Sequence, residues 1–137
     1  MSDNKFDDAV LKILKLTHLG VLSWAKETPP KVMIESTDSV ISSYFEAEYQ
    51  SRKLALFHER RRRTGMEEYM AKKSLAAMFV GSDDQWVEVD RLVLLHDDGE
   101  IAYSFPPSRV VRDLLQTVRH KTSGIDQFLD ELLNTEP

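Results

Sequence analysis

Apolar residues recur three and four apart at the start of the chain: Phe6, Val10, Ile13 and Leu14, with Thr17 continuing the stripe. That spacing predicts a helix from about Asp3 to His18 with one buried face. Ser2 or Asp3 can cap it, and Asp7 and Asp8 lie in or near the first turn, where negative charge suits the helix dipole. Gly20 is suited to end it in a left-handed conformation, and a short strand, Val21 to Ala25, is expected next. Pro29 and Pro30 forbid regular pairing, so residues 26–39 read as a loop. Val32, Met33 and Ile34 would either pin that loop or form a short edge strand.

The period changes to two at Val40. Phe45, Ala47 and Tyr49 then share one face of a strand, and Tyr44, Glu46 and Glu48 the other. Gln50-Ser51-Arg52 reads as a turn, and Lys53 to Arg62 returns as the partner strand. On it Leu54, Leu56 and His58 face away from Ala55, Phe57 and Glu59. Glu46 and Glu48 are expected across from basic residues of that strand. Residues 64–80 mix helix formers with a short apolar run, which predicts a short helix leading into a strand at Leu75 to Val80. Gly81-Ser82-Asp83-Asp84 is a turn, Trp86 to His96 a long strand, Asp97-Asp98-Gly99 a hairpin turn and Ile101 to Phe105 its return.

Ser108 caps a helix from Arg109 to Lys121 with Val111, Leu114, Leu115 and Val118 inward, and Ser123-Gly124 breaks it. A last helix, Ile125 to Asn134, carries Ile125, Phe128, Leu129 and Leu132, with its acids at 126, 130 and 131 toward solvent. The order predicts one α+β domain over residues 1–137. It has an N-terminal helix, a twisted antiparallel sheet of about five strands, and C-terminal helices packed on one face. The other face of such a sheet is either wet or an interface.

Composition narrows the class. Hydrophobic residues make up 42% and charged residues 30% of 137, the profile of a folded domain able to bury its own core. With no cysteine, disulfides, thiolate metal sites and thiol catalysis are excluded. No apolar run reaches the ~18–20 residues that span a bilayer, and the acidic start MSDNKFDDAV lacks the basic-then-apolar pattern of a secretory signal. The expectation is a cytoplasmic protein with no membrane contact.

The net charge of −5 is uneven. Residues 51–63 hold six basic groups and one acid, so the remainder carries −10. Arg60, Arg61, Arg62 and Arg63 are the one strong basic feature, and guanidinium forks bind phosphate or carboxylate oxygens well. A nucleic-acid site there is the alternative reading. It is disfavoured because a strand would send Arg60 and Arg62 to one face and Arg61 and Arg63 to the other, and no RNA- or DNA-binding motif accompanies them.

His18, His58, His96 and His120 show no HxxxH pairing, so no metal site is expected, and the acidic turns lack calcium-loop spacing. His58 near Glu46 or Glu48 would be the constellation for a small acid–base enzyme. Phosphate-binding, nucleophile-elbow and zinc-protease motifs are missing, and no cofactor and no catalytic residue is assigned.

The stretch from Glu46 to Arg60, which opens with EAEY, the hairpin from Asp97 to Pro106 and the tail from Gly124 to Leu133 together resemble a group of small bacterial single-domain proteins of no known function. The resemblance spans most of the chain from Gly20 onward and implies a bacterial, single-domain protein. The element order also looks like that of type III secretion chaperones, which dimerise and wrap a cargo segment, though no diagnostic residue carries that topological analogy. These observations lead to a non-enzymatic domain that binds another protein, with a homodimer as one form. Tyr44, Glu46, Glu48, His58, Arg60 and Arg62 are its expected surface.

Overall fold

In the computed structural model, which describes residues 3–35, 39–62, 65, 69 and 86–136, the periodic segments become the elements their spacing predicts. Helix α1 is Asp3–His18. It ends in a Schellman motif. Gly20, at φ 75°, donates its N–H to Thr17 O at 3.1 Å, and Val21 donates to Leu16 O at 3.0 Å. The N–H of Leu22 also goes to Leu16 O. Strand β1 is therefore Ala25–Lys26 rather than the Val21 to Ala25 expected, because the helix end has already taken those donors.

A single helical turn, α2 (Lys31–Ile34), follows Pro30. Then come β2 (Val40–Tyr49), β3 (Arg52–Arg62), β4 (Trp86–Leu95) and β5 (Ile101–Ser104). Strand order is chain order, with each neighbouring pair antiparallel. The β2–β3 connection is a two-residue turn with Gln50 at φ 52° and Ser51 at φ 66°, the doubly left-handed geometry that matches strand twist. Arg52, expected in the turn, is instead the first residue of β3 and pairs with Tyr49. In the β4–β5 hairpin Gly99 sits at φ 89° as its Asp-Asp-Gly signal predicts, and its N–H reaches His96 O at 3.0 Å. A bulge shifts the β2–β3 register between Ser42 and Phe45, at Ser43 with φ 50°.

Helix α3 (Arg109–Ser123) is capped by Ser108, whose hydroxyl accepts from the Val111 N–H. Gly124, at φ 71°, ends α3 and turns the chain into α4 (Ile125–Asn134). One sheet face is closed by α1 and α3. Phe45, Ala47, Leu54, Leu56 and Leu92 pack there with Val10, Trp24, Val111, Leu114, Leu115 and Val118. On the opposite face Tyr44, Ala55, Phe57, Val93 and Leu95 form a second cluster, covered in part by Met33 of α2. That face is thus neither wet throughout nor bare.

The fold class is α+β as expected, with an N-terminal helix, five antiparallel strands and two C-terminal helices. The packing of the two C-terminal helices differs: α3 is docked, but α4 buries no residue, since α1 and α3 already occupy the sheet face. The helix and strand expected over 64–80 lie outside the described residues apart from Gly65 and Tyr69, as do the 81–84 turn and Arg63. Among the described residues no helix is long and apolar enough to cross a membrane.

Candidate functional site

Strand alternation splits the six expected surface residues between the two faces. Tyr44, Glu46 and Glu48 lie with Ala55 and Phe57, whereas His58, Arg60 and Arg62 lie on the α3 side, beyond the core. Tyr44 is a core residue. Its ring centroid is 5.7 Å from that of Phe57, and its hydroxyl donates to Glu46 Oε2 at 2.7 Å. Burial, then the Glu46 acceptor and the charges of Glu46 and Glu27, push that hydroxyl well above the ordinary tyrosine range. Glu46 also sits 3.7 Å from Lys53 Nζ, the cross-strand pairing its position predicts. Glu48 is exposed opposite Lys53.

His58 does not meet Glu46 or Glu48, so the expected acid–base constellation is not assembled. Its partners come from β4 instead: Nδ1 is 2.8 Å from Asp90 Oδ1 and Nε2 is 3.7 Å from Glu88 Oε1. The β3–β4 register sets His58 opposite Asp90, Arg60 opposite Glu88 and Arg62 opposite Trp86. The guanidinium groups of Arg60 and Arg62 lie 4.8 and 5.3 Å from the Trp86 ring centroid, within cation–π range. A shallow cleft of about 520 Å³ runs from His58 and Asp90 to Pro107, Ser108 and Arg112. The Ser108 hydroxyl already serves as a helix cap. Among the described residues no three His, Asp or Glu side chains are grouped to hold a metal ion.

The arginine run divides as alternation requires. Arg61 faces away from Arg60 and Arg62, with its Nε 3.9 Å from Glu59 Oε1. Glu59 is only 6% exposed. Arg91 holds it from β4, donating from Nη1 to Glu59 Oε1 at 3.2 Å and from Nη2 to Ser104 Oγ at 2.8 Å. This charge network is internal to the sheet.

Two apolar features complete the surface. Helix α4 presents Phe128, Leu129, Leu132 and Leu133 at 56, 42, 57 and 79% exposure. At 100° per residue these fall with Ile125 on one stripe, while Asp126, Asp130 and Glu131 flank it. Near the β2–β3 turn, a cleft of about 430 Å³ opens between α1 and the sheet. Ile13, Leu16, Leu22, Leu54 and Leu94 line it, with exposed Lys12 and Arg52 beside them. The α4 stripe was visible in the sequence, but its spacing reads equally well as packing on the domain's own sheet. The cleft has no sequence signal, because it joins residues from α1, the β1 approach and three strands.

These features define a class: an α+β meander domain with charges paired across its strands and an amphipathic helix standing outside its core. No protein-family model, curated protein or solved structure matches the chain.

Proposed function

We propose that this protein is a non-enzymatic protein-interaction domain whose contact element is the apolar face of α4. The observation that carries this reading is a formed amphipathic helix with four large apolar side chains exposed. An isolated helix shorter than ~12–15 residues is marginal in water, so α4 needs a packing partner to be more than transient. Burying a Leu or Phe side chain fully is worth about 1.5–3 kcal/mol. Each exposed charge pair around His58, Arg60 and Arg62 offers roughly 0–1 kcal/mol. The apolar helix therefore outweighs the charged strip as a source of affinity. The nucleic-acid alternative gains little from the fold, since Glu88 and Asp90 lie among the very cations it needs.

The test compares tagged wild-type protein with a Phe128→Asp/Leu132→Asp variant in nuclease-treated host extract, read by quantitative mass spectrometry. Neither residue is buried, so the variant should fold, which circular dichroism checks. A protein captured in stoichiometric amount by the wild type and lost with the variant supports the reading. Equal capture by both, or capture by neither from a wild type that is also monomeric, overturns it.

A further inference from the structure

We infer that the occupant of the α4 face is a second copy of this chain. In this reciprocal pair α4 of each protomer seats in the cleft between α1 and the β2–β3 turn of the other. The inference rests on the interaction reading above and names its partner. Helix and cleft are chemically matched. The stripe of Phe128, Leu129, Leu132 and Leu133 is exposed on one side; on the other, half-buried Ile13, Leu16 and Leu94 wall the cleft over the buried Leu22 and Leu54. Exposed Leu19 and Val21 extend the apolar surface beyond α1. An amphipathic helix lying in an apolar groove is a recurrent mode of protein recognition.

Charge points to the same pairing. From Ile125 to Pro137 the chain holds Asp126, Asp130, Glu131 and Glu136 and no basic residue. The cleft carries Lys12 and Arg52, and Lys15 lies one helical turn from Lys12 on the exposed part of α1. Acidic flanks meeting a basic surround would set the orientation of the helix and speed encounter. The acids also explain why a chain of net charge −5 can associate with itself: its most acidic element meets one of its basic regions. The layout suits a two-fold pair. Lys121, near the end of α3, donates from Nζ to His18 O at 3.3 Å, so α4 departs beside the C-terminal end of α1. In a two-fold pair each helix–cleft contact is made twice, once in each direction, as an isologous interface requires.

The experiment is light scattering coupled to size exclusion on the purified full chain over a wide concentration range. The expected mass is twice the 15.8 kDa of one chain, falling toward the monomer on dilution. Phe128→Asp/Leu132→Asp should raise the dissociation constant ~100-fold or more, as burying charge at an interface centre does. Lys12→Glu/Arg52→Glu and Asp126→Lys/Asp130→Lys should each raise it roughly tenfold or more. Mixing those two charge-reversed variants should restore a dimer, because each acidic helix or cleft then meets a basic counterpart. A wild-type monomer at every concentration overturns self-pairing. So does a dimer that survives Phe128→Asp/Leu132→Asp, or a mixture that fails to re-associate. If the wild type is monomeric yet captures a different protein through α4, self-pairing falls and the interaction reading stands. If it is monomeric and α4 captures nothing, both fall.

Discussion

Replacing Arg91 by Met should be among the most damaging single changes to the strand network. Glu59 is the buried carboxylate of the described structure, and Arg91 is its principal counter-charge at 3.2 Å. Met keeps most of the apolar stem and its packing near Phe57, so the change isolates the charge. Leaving a buried charge without its partner costs about 3–5 kcal/mol. Two features place this case near 3: Arg61 Nε remains 3.9 Å from Glu59, and Ser104, half-buried, can exchange its Arg91 donor for water. The cation–π contact of Arg91 with Phe57, at 5.9 Å, adds less than about 1 kcal/mol.

Urea unfolding followed by tryptophan fluorescence reads the loss. At a slope of ~1–3 kcal/mol per molar urea, the midpoint should fall by roughly 1–3 M. The control is Glu59→Gln in the same background. It removes the stranded charge, so the Glu59→Gln/Arg91→Met double variant should recover about 2 kcal/mol of the loss. An Arg91→Met variant within about 1 kcal/mol of wild type would refute the reasoning. So would a double variant no more stable than Arg91→Met alone, which would mean that the cost was one of shape and not of charge.

Three further outcomes are expected. The Tyr44 hydroxyl stays protonated in the folded state above its ordinary range, whereas an unfolded tyrosine loses its proton near pH ~10. The folded state then binds the extra proton, so stability is full below that pH and falls above it by up to ~1.4 kcal/mol per pH unit. Tyr44→Phe should remove that share of the slope in urea melts on either side of pH ~10, and an unchanged slope would count against it. Gly99→Ala should destabilise by about 1–3 kcal/mol. The residue sits at φ 89°, and a new Cβ would lie 2.9 Å from Pro30 Cβ, part of a ring that cannot swing aside. A thermal melt with an unmoved midpoint would exclude that close approach. Gln50→Asn/Ser51→Gly should stabilise by roughly 0.5–1 kcal/mol, because both positions already have positive φ. A lower melting temperature would show that the turn geometry is otherwise.

Local periodicity was enough to read α1, β2 and α4, whose ends fall where apolar spacing and turn residues place them. It was enough also for the facing of Arg60, Arg61 and Arg62, since alternation is a property of the strand itself. What it missed depends on distant residues. β1 moved because the α1 end consumed the donors of Val21 and Leu22. Tyr44 was expected at a surface, but alternation gives only its face, not that Met33 would help to cover it. His58 was matched with Glu46 and Glu48, its neighbours along the first hairpin. Its true partner Asp90 is 32 residues away and is set by the β3–β4 register, which no local pattern encodes. In α4 the stripe was legible and its partner was not, because an apolar face announces a need for burial without naming what fills it.

The balance between paired charge and bare apolar surface decides what this molecule can do. Among the described residues no buried side-chain polar atom lacks a hydrogen-bond partner, and Glu46, His58, Glu59, Arg60 and Arg61 each contact a charged or aromatic neighbour within the sheet. Those groups would have to give up an internal partner to take an external one, which limits the gain from binding through them. Phe128, Leu129, Leu132 and Leu133 of α4 keep 42–79% of their surface exposed, so a partner that covers them adds apolar contact rather than replacing one. Association should therefore be driven mainly by apolar area on α4, with Asp126, Asp130, Lys12 and Arg52 setting orientation and contributing a smaller share of the affinity. The two surfaces differ in their response to salt. Contact through the arginine strip would weaken steeply as ionic strength rises. Contact through Phe128, Leu129, Leu132 and Leu133 would keep most of its affinity, since burial of apolar area does not depend on screened charge.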